Sequence, residues 1–140
     1  MTNKKMDVYR VPRILIVQLG RFVRRRTAYR GFMGIVMGSE KNGEYVDCPI
    51  SGFDITDYLL GEKKSPENGE RFVYDLYGVS NHMGSLYGGH YTAYAYNTEA
   101  GQWFNFDDSY VSRASESKVI GTSSYILFYR RRETNQVAKE

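Results

Sequence analysis

Between Arg13 and Leu19 the chain reads RILIVQL, an almost unbroken apolar and β-branched run that predicts a strand buried on both faces. The second half of the chain alternates instead. RFVYDLYGVS (71–80), HYTAYAYN (90–97), QWFNF (102–106) and SYILFYR (124–130) read as strands with one face on a core. EYVDCPI (44–50) predicts a further short strand ending near Pro49. Two segments favour single helical turns: DITDYLL (54–60), capped by Asp54 or Thr56, and RASESKVIG (113–121), ended by Gly121. GEKKSPENGE (61–70) has the polar, Pro- and Gly-containing character of a mobile loop, and ETNQVAKE (133–140) that of a disordered tail. The expectation is an antiparallel sheet with one or two short helices.

Composition agrees with that pattern and narrows the class. The chain has 140 residues, about one domain, and 41% hydrophobic content, enough for a core. Aromatics reach 15%, with 13 Tyr and 7 Phe, a mix that favours strands over a helical bundle. One cysteine, Cys48, excludes an internal disulfide and a Cys-rich zinc site and fits a reducing compartment. No apolar run approaches the roughly 20 residues of a membrane-spanning helix, and the start MTNKKMDVYR lacks the apolar core of a signal peptide. These features lead us to expect a soluble cytoplasmic protein, with the nucleus also open to it.

Candidate chemistry concentrates in GGHYTAYAYNTEAGQWFNFDDSY (88–110). NTEAGQ has the residues of a turn, so two strands pair across it. With 98–101 as the loop, Asn97 faces Gln102 and Thr92 faces Asp107. His90 lies two residues from Thr92 on the same strand face, which makes His90 and Asp107 diagonal cross-strand neighbours. Such diagonals bring Cβ atoms to roughly 7–8 Å, a gap that His and Asp side chains can span. Asp108 is then expected on the opposite face, and a one-residue shift of register would exchange the two aspartates. A carboxylate bonded to one imidazole nitrogen fixes the ring and stabilises the imidazolium formed when the other nitrogen takes a proton. The same residues also suit a plain hairpin with a surface histidine and a turn at Asp-Asp-Ser.

Six blocks, in order, carry a resemblance that extends from about Asp7 to Arg132. They are VPRILIVQLGRF, YVDCPI with SGFDITDYL, YDLYGVSNHMGSLYGGHY, GGHYTAYAYN, WFNFDDSYVS and SYILFYRR. Together they resemble the histidine-bearing part of the ubiquitin-specific proteases, the papain-like cysteine deubiquitinases. The resemblance implies an α+β, papain-like cysteine peptidase fold, of which this portion is mainly antiparallel sheet. It implies thiol-dependent hydrolysis of the bond after the C-terminal Gly-Gly of ubiquitin, with His90 as general base and Asp107 as the residue that orients it. Asp108 falls on a neighbouring polar position that can serve in addition or instead. Phe22, Gly88, Gly89 and Tyr91 fall along the channel for the ubiquitin tail, and Asn81–Gly89 on a mobile loop beside it.

The departures are equally specific. The family's Asn- and Gly-rich cysteine box has no counterpart here, and Cys48 aligns with a strand residue before a proline. The zinc-binding CxxC pairs are absent too, and Gly20 replaces a residue that is often basic. Residues 1–132 therefore read as the C-terminal part of a catalytic domain, inactive alone, with the nucleophile outside this chain. Ubiquitin or a ubiquitinated protein is the expected partner. So is a missing N-terminal half, or a second copy, against an exposed apolar face. No cofactor and no metal is expected: His82 reads as a loop histidine without a matching ligand set. The basic run Arg21, Arg24, Arg25, Arg26 and Arg30 reads as a solvated loop rather than a nucleic-acid surface, the net charge being only +3. The alternative to an enzyme is a non-catalytic module that binds ubiquitin or a partner.

Overall fold

The computed structural model describes residues 4–26, 37–60 and 71–133. Nine strands occur among them: β1 (Ile14–Gln18), β2 (Phe22–Arg26), β3 (Met37–Lys41), β4 (Phe53–Asp54), β5 (Val73–Ser85), β6 (Gly88–Asn97), β7 (Gln102–Asp107), β8 (Tyr110–Ala114) and β9 (Ser124–Arg131). Hydrogen bonding orders the main sheet β1-β9-β5-β6-β7-β8, with β4 on β5, while β2 and β3 pair separately. The only helical pieces among the described residues are 3₁₀ turns at Thr56–Tyr58 and Glu116–Lys118, where the sequence predicts short helices. No described helix is long and apolar enough to cross a membrane.

By contacts the chain divides into two compact units. The first takes in residues 1–16, 49–77 and 128–140. Its core holds Ile55, Leu59, Tyr74, Leu76 and Tyr129. The two buried tyrosines place their hydroxyls on backbone carbonyls, Tyr74 on Pro12 (2.5 Å) and Tyr129 on Pro49 (2.9 Å), so no phenol is left unpaired. Asp54 accepts a hydrogen bond from the Thr56 N–H at 2.9 Å, but the cap of the first 3₁₀ turn is Ile55, without a side-chain bond, so neither Asp54 nor Thr56 caps it as expected. Arg132 grips Asp75 through Nε and Nη2, both at 2.7 Å.

The second unit takes in residues 17–48 and 78–127 and carries the candidate chemistry. Val79, Trp103, Val119, Ile120 and Leu127 form its apolar core. The hairpin of β6 and β7 has the register expected from its loop, with Asn97 opposite Gln102 and Ala93 opposite Phe106. Asn97 Oδ1 accepts the Ala100 N–H at 2.8 Å, and Gly101 takes a left-handed φ of 59°, which explains why Asn and Gly bound that turn.

Four expectations need correction. Strand β1 is not buried on both faces: Ile14 and Ile16 are 40% and 58% exposed, because an apolar run cannot reveal whether its second face is covered. EYVDCPI forms no strand. Its first residue, Glu44, gives its carbonyl to buried Arg21 Nη1 and its N–H to Asn42 Oδ1, so neither group is free for a ladder. The basic stretch after Gly20 is not simply a loop, since Phe22–Arg26 pairs with Met37–Lys41. Asn81–Gly89 is a paired hairpin, with Asn81 opposite Thr92 and Ser85 opposite Gly88. Strand β8 was not predicted at all. Residues 27–36, 61–70 and 134–140, which include Arg30, the expected mobile loop and nearly all of the tail, lie outside the described residues.

Candidate active site

His90 is the third residue of β6, and Asp107 is the last residue of β7. The hairpin register brings them together: His90 Nε2 and Asp107 Oδ1 are 2.5 Å apart, with side chains 45% and 47% exposed. With Nε2 bonded to the carboxylate, Nδ1 is the nitrogen left for proton exchange with another group. The hydrogen bond to Asp107 raises the His90 pKa above its ordinary value; desolvation opposes it, and the charges of Asp107 and then Asp108 add smaller upward effects.

Asp108 differs from expectation in an informative way. It does not continue β7 onto the opposite face. Asp107 pairs with Tyr110, so Asp108 and Ser109 form a two-residue turn, and Asp108 adopts a left-handed φ of 50°. That twist cancels the strand alternation. One ligand atom from each of His90, Asp107 and Asp108 then falls within 4.8 Å of the others. Aspartate tolerates this backbone region better than most residues, which suits it to a turn that also supplies charge. The same three atoms are close enough to share a cation; both carboxylates face solvent, and acids so placed are common without an ion.

Three of the candidate channel residues, Phe22, Gly89 and Tyr91, gather around His82. His82 is not a loop histidine. It belongs to β5, directly opposite Tyr91, and is only 3% exposed. Its ring centroid lies 4.7 Å from Tyr91, 5.6 Å from Phe22 and 6.0 Å from Tyr125. Phe22 and Tyr91 thus meet through the His82 ring. Tyr91 remains 56% exposed. Burial, reinforced by the charge of Lys41, pushes the His82 pKa down and holds the ring neutral. Lys41 Nζ donates to the His82 carbonyl, and the His82 N–H donates to the Ser123 carbonyl at 2.9 Å. Gly88 and Gly89 start β6, but only one of them is sterically required. A Cβ on Gly88 would meet nothing within 4 Å among the described residues, whereas one on Gly89 would stand under 3.0 Å from both the Met83 carbonyl and His82 Nε2.

Met83, directly across from His90 and 45% exposed, also belongs to the site's wall and carried no signal beyond its place in the hairpin. Arg21 belongs to the basic run, yet it is 3% exposed and donates through Nε to the Ser124 carbonyl (2.5 Å) and through Nη1 to the Asn42 and Glu44 carbonyls. Cys48 is half-buried. Burial, then the charge of Asp47, raises its thiol pKa against an opposing effect of Arg21, which disfavours the thiolate.

Comparison with known proteins gives this geometry a context. The family model described as "Ubiquitin carboxyl-terminal hydrolase" matches residues 1–129. The chain belongs to that family. Ubiquitin carboxyl-terminal hydrolase 10 of Arabidopsis thaliana is 39% identical over 129 residues, 92% of this chain and 12% of that protein. Ubiquitin carboxyl-terminal hydrolase 15 of Rattus norvegicus is 40% identical over 132 residues, 94% of this chain and again 12% of the relative. Among solved structures, the SAGA DUB module of Ubp8, Sgf11, Sus1 and Sgf73 bound to monoubiquitin contains a chain that superposes with a TM-score of 0.75 at 29% identity. The match covers 92% of this chain and 25% of that one. The mainly antiparallel sheet thus matches part of a solved fold, that of the chain in the Ubp8 module. The chain spans about an eighth of the curated relatives' length.

Proposed function

We propose that this chain supplies the histidine and carboxylate of a deubiquitinating enzyme. The observation that carries the proposal is the contact of His90 Nε2 with Asp107 Oδ1 at 2.5 Å, in a member of the ubiquitin carboxyl-terminal hydrolase family. His90 acts as general base through Nδ1, and Asp107 holds the ring and stabilises the imidazolium. Asp108 adds negative charge beside the same ring. Phe22, Gly88, Gly89 and Tyr91 line the path of the ubiquitin tail, and residues 1–132 form the C-terminal part of the catalytic domain.

The nucleophile comes from a segment outside this chain. His90 takes the proton of that cysteine thiol, and the thiolate attacks the carbonyl carbon of ubiquitin's terminal glycine. The tetrahedral intermediate collapses to a thioester as the imidazolium gives its proton to the leaving amine. His90 then takes a proton from water, the hydroxide adds to the thioester, and free ubiquitin leaves as the thiolate is restored. Such an enzyme would work in the cytoplasm or nucleus.

The raised thiol pKa and half-burial of Cys48 favour a second reading for the chain by itself, a module that binds ubiquitin or a partner without cleaving. Ubiquitin with a thiol-reactive C-terminal warhead, followed by intact mass, tests where the nucleophile lies. The chain alone should form no adduct. An adduct that disappears in Cys48→Ser would place the nucleophile within this chain and overturn the assignment.

A further inference from the structure

Two residues flank His90 in sequence, and one side chain touches both. His82 stands opposite Tyr91 with ring centroids 4.7 Å apart, and its Nε2 and Cε1 occupy the space that a side chain on residue 89 would need. Side chains alternate along a strand, so residues 89 and 91 face away from the surface on which His90 projects. The His82 ring therefore lies beneath the backbone of residues 89–91, on the sheet face opposite His90. It is itself held from four directions: Phe22 and Tyr125 against the ring, the Ser123 carbonyl on its N–H, and Lys41 on its carbonyl. Its Nδ1 is buried and has no hydrogen-bond partner among the described residues.

We propose that His82 is a positioning residue for His90: its flat ring, wedged beneath Gly89 and against Tyr91, sets the backbone from which His90 reaches Asp107. The ring and the Met83 carbonyl together leave no room for a Cβ at residue 89, which accounts for the glycine there. The neutral form also suits the site, because a second positive charge beneath His90 would oppose formation of its imidazolium. The proposal rests on reading His90 and Asp107 as base and orienting carboxylate.

The test is an NMR titration of the His90 ring in the purified chain, alongside His82→Leu, His82→Phe, Asp107→Asn and Val119→Ala. In Asp107→Asn the His90 pKa should fall, reporting the carboxylate contact itself; no fall there would overturn the base-and-carboxylate reading and the proposal with it. His82→Leu should lower the His90 pKa by about half a unit or more, while His82→Phe, which keeps a planar ring, should hold it within about 0.2 units. Val119→Ala removes buried volume outside this hairpin and should lower the urea midpoint without moving the His90 pKa. That separates positioning from general destabilisation. A fall in Asp107→Asn with no change in His82→Leu would overturn the positioning role and leave the dyad standing. Should His82→Leu lose its dispersed spectrum, His82→Phe decides: a preserved His90 pKa supports the role, and a fall contradicts it.

Discussion

Asp107 accepts a hydrogen bond from His90 across 2.5 Å, from the far strand of a hairpin and 17 residues further along the chain. Strand register creates that contact, and the turn immediately after it brings a second carboxylate, Asp108, close to the same ring. The two acids are unequal. Asp107 acts through a hydrogen bond and through charge, whereas Asp108 acts through charge alone and ranks last among the causes of the shift. Asp107→Asn should therefore lower the His90 pKa more than Asp108→Asn does, as ring-proton titration by NMR would show. Because the folded-state pKa is raised, the contact stabilises the fold fully below the ordinary value of 6.5 and loses that effect as pH rises through the folded pKa. The stability difference between wild type and Asp107→Asn should thus be larger at pH 5 than at pH 9.

The two neighbouring glycines should respond differently to the same added methyl group. Gly89→Ala forces a Cβ against the Met83 carbonyl and the His82 ring, and overpacking of this kind costs about 1–3 kcal/mol. Gly88→Ala meets open space and should stay within about 0.5 kcal/mol of wild type. Urea midpoints of the two variants check the contrast.

Arg21 joins three backbone carbonyls from inside the second unit. Arg21→Met keeps much of the apolar stem and removes every donor, leaving those carbonyls to find other partners. The expected loss is about 1–3 kcal/mol. Arg21→Lys should recover only part of it, since an ammonium cannot reproduce the guanidinium fork. Chemical denaturation at neutral pH measures both.

In the first unit, Arg132 lowers the Asp75 pKa, assisted by the Gly52 N–H and by Ser51 against the effect of burial. Stability from a depressed carboxylate is present above the unfolded value of 3.8 and is lost as pH falls through the folded pKa. Both side chains are substantially exposed, at 52% and 40%, so Arg132→Met should lower the thermal midpoint only slightly at pH 7. The difference from wild type should shrink toward zero in acid, as thermal melts across that range would reveal.

Much of the site was legible because strand alternation and one turn fix the register. Asn97 and Gly101 bound the loop, and from there the approach of His90 to Asp107 follows by counting. Asp108 escaped the same counting because a left-handed residue breaks the alternation, and nothing in DDSY said which aspartate would turn. His82 was misread for a related reason. A stretch rich in Gly and Ser looks like a loop, yet both arms of 81–89 stay paired and bury the histidine between rings from β2, β6 and β9. The exposed side chains of Ile14 and Ile16 show the limit of reading an apolar run, which records burial somewhere but not on how many faces.

The most direct test of the account is a chimaera. In ubiquitin carboxyl-terminal hydrolase 15 of Rattus norvegicus, the 132 residues matched at 40% identity would be replaced by this chain's own, and release of a fluorophore from the C-terminus of ubiquitin would be followed. The account predicts hydrolysis that His90→Ala abolishes and that Asp107→Ala lowers by two or more orders of magnitude, roughly the weight of a lost orienting acid. A folded chimaera that binds ubiquitin but does not cleave it, or one whose activity survives His90→Ala, would contradict it.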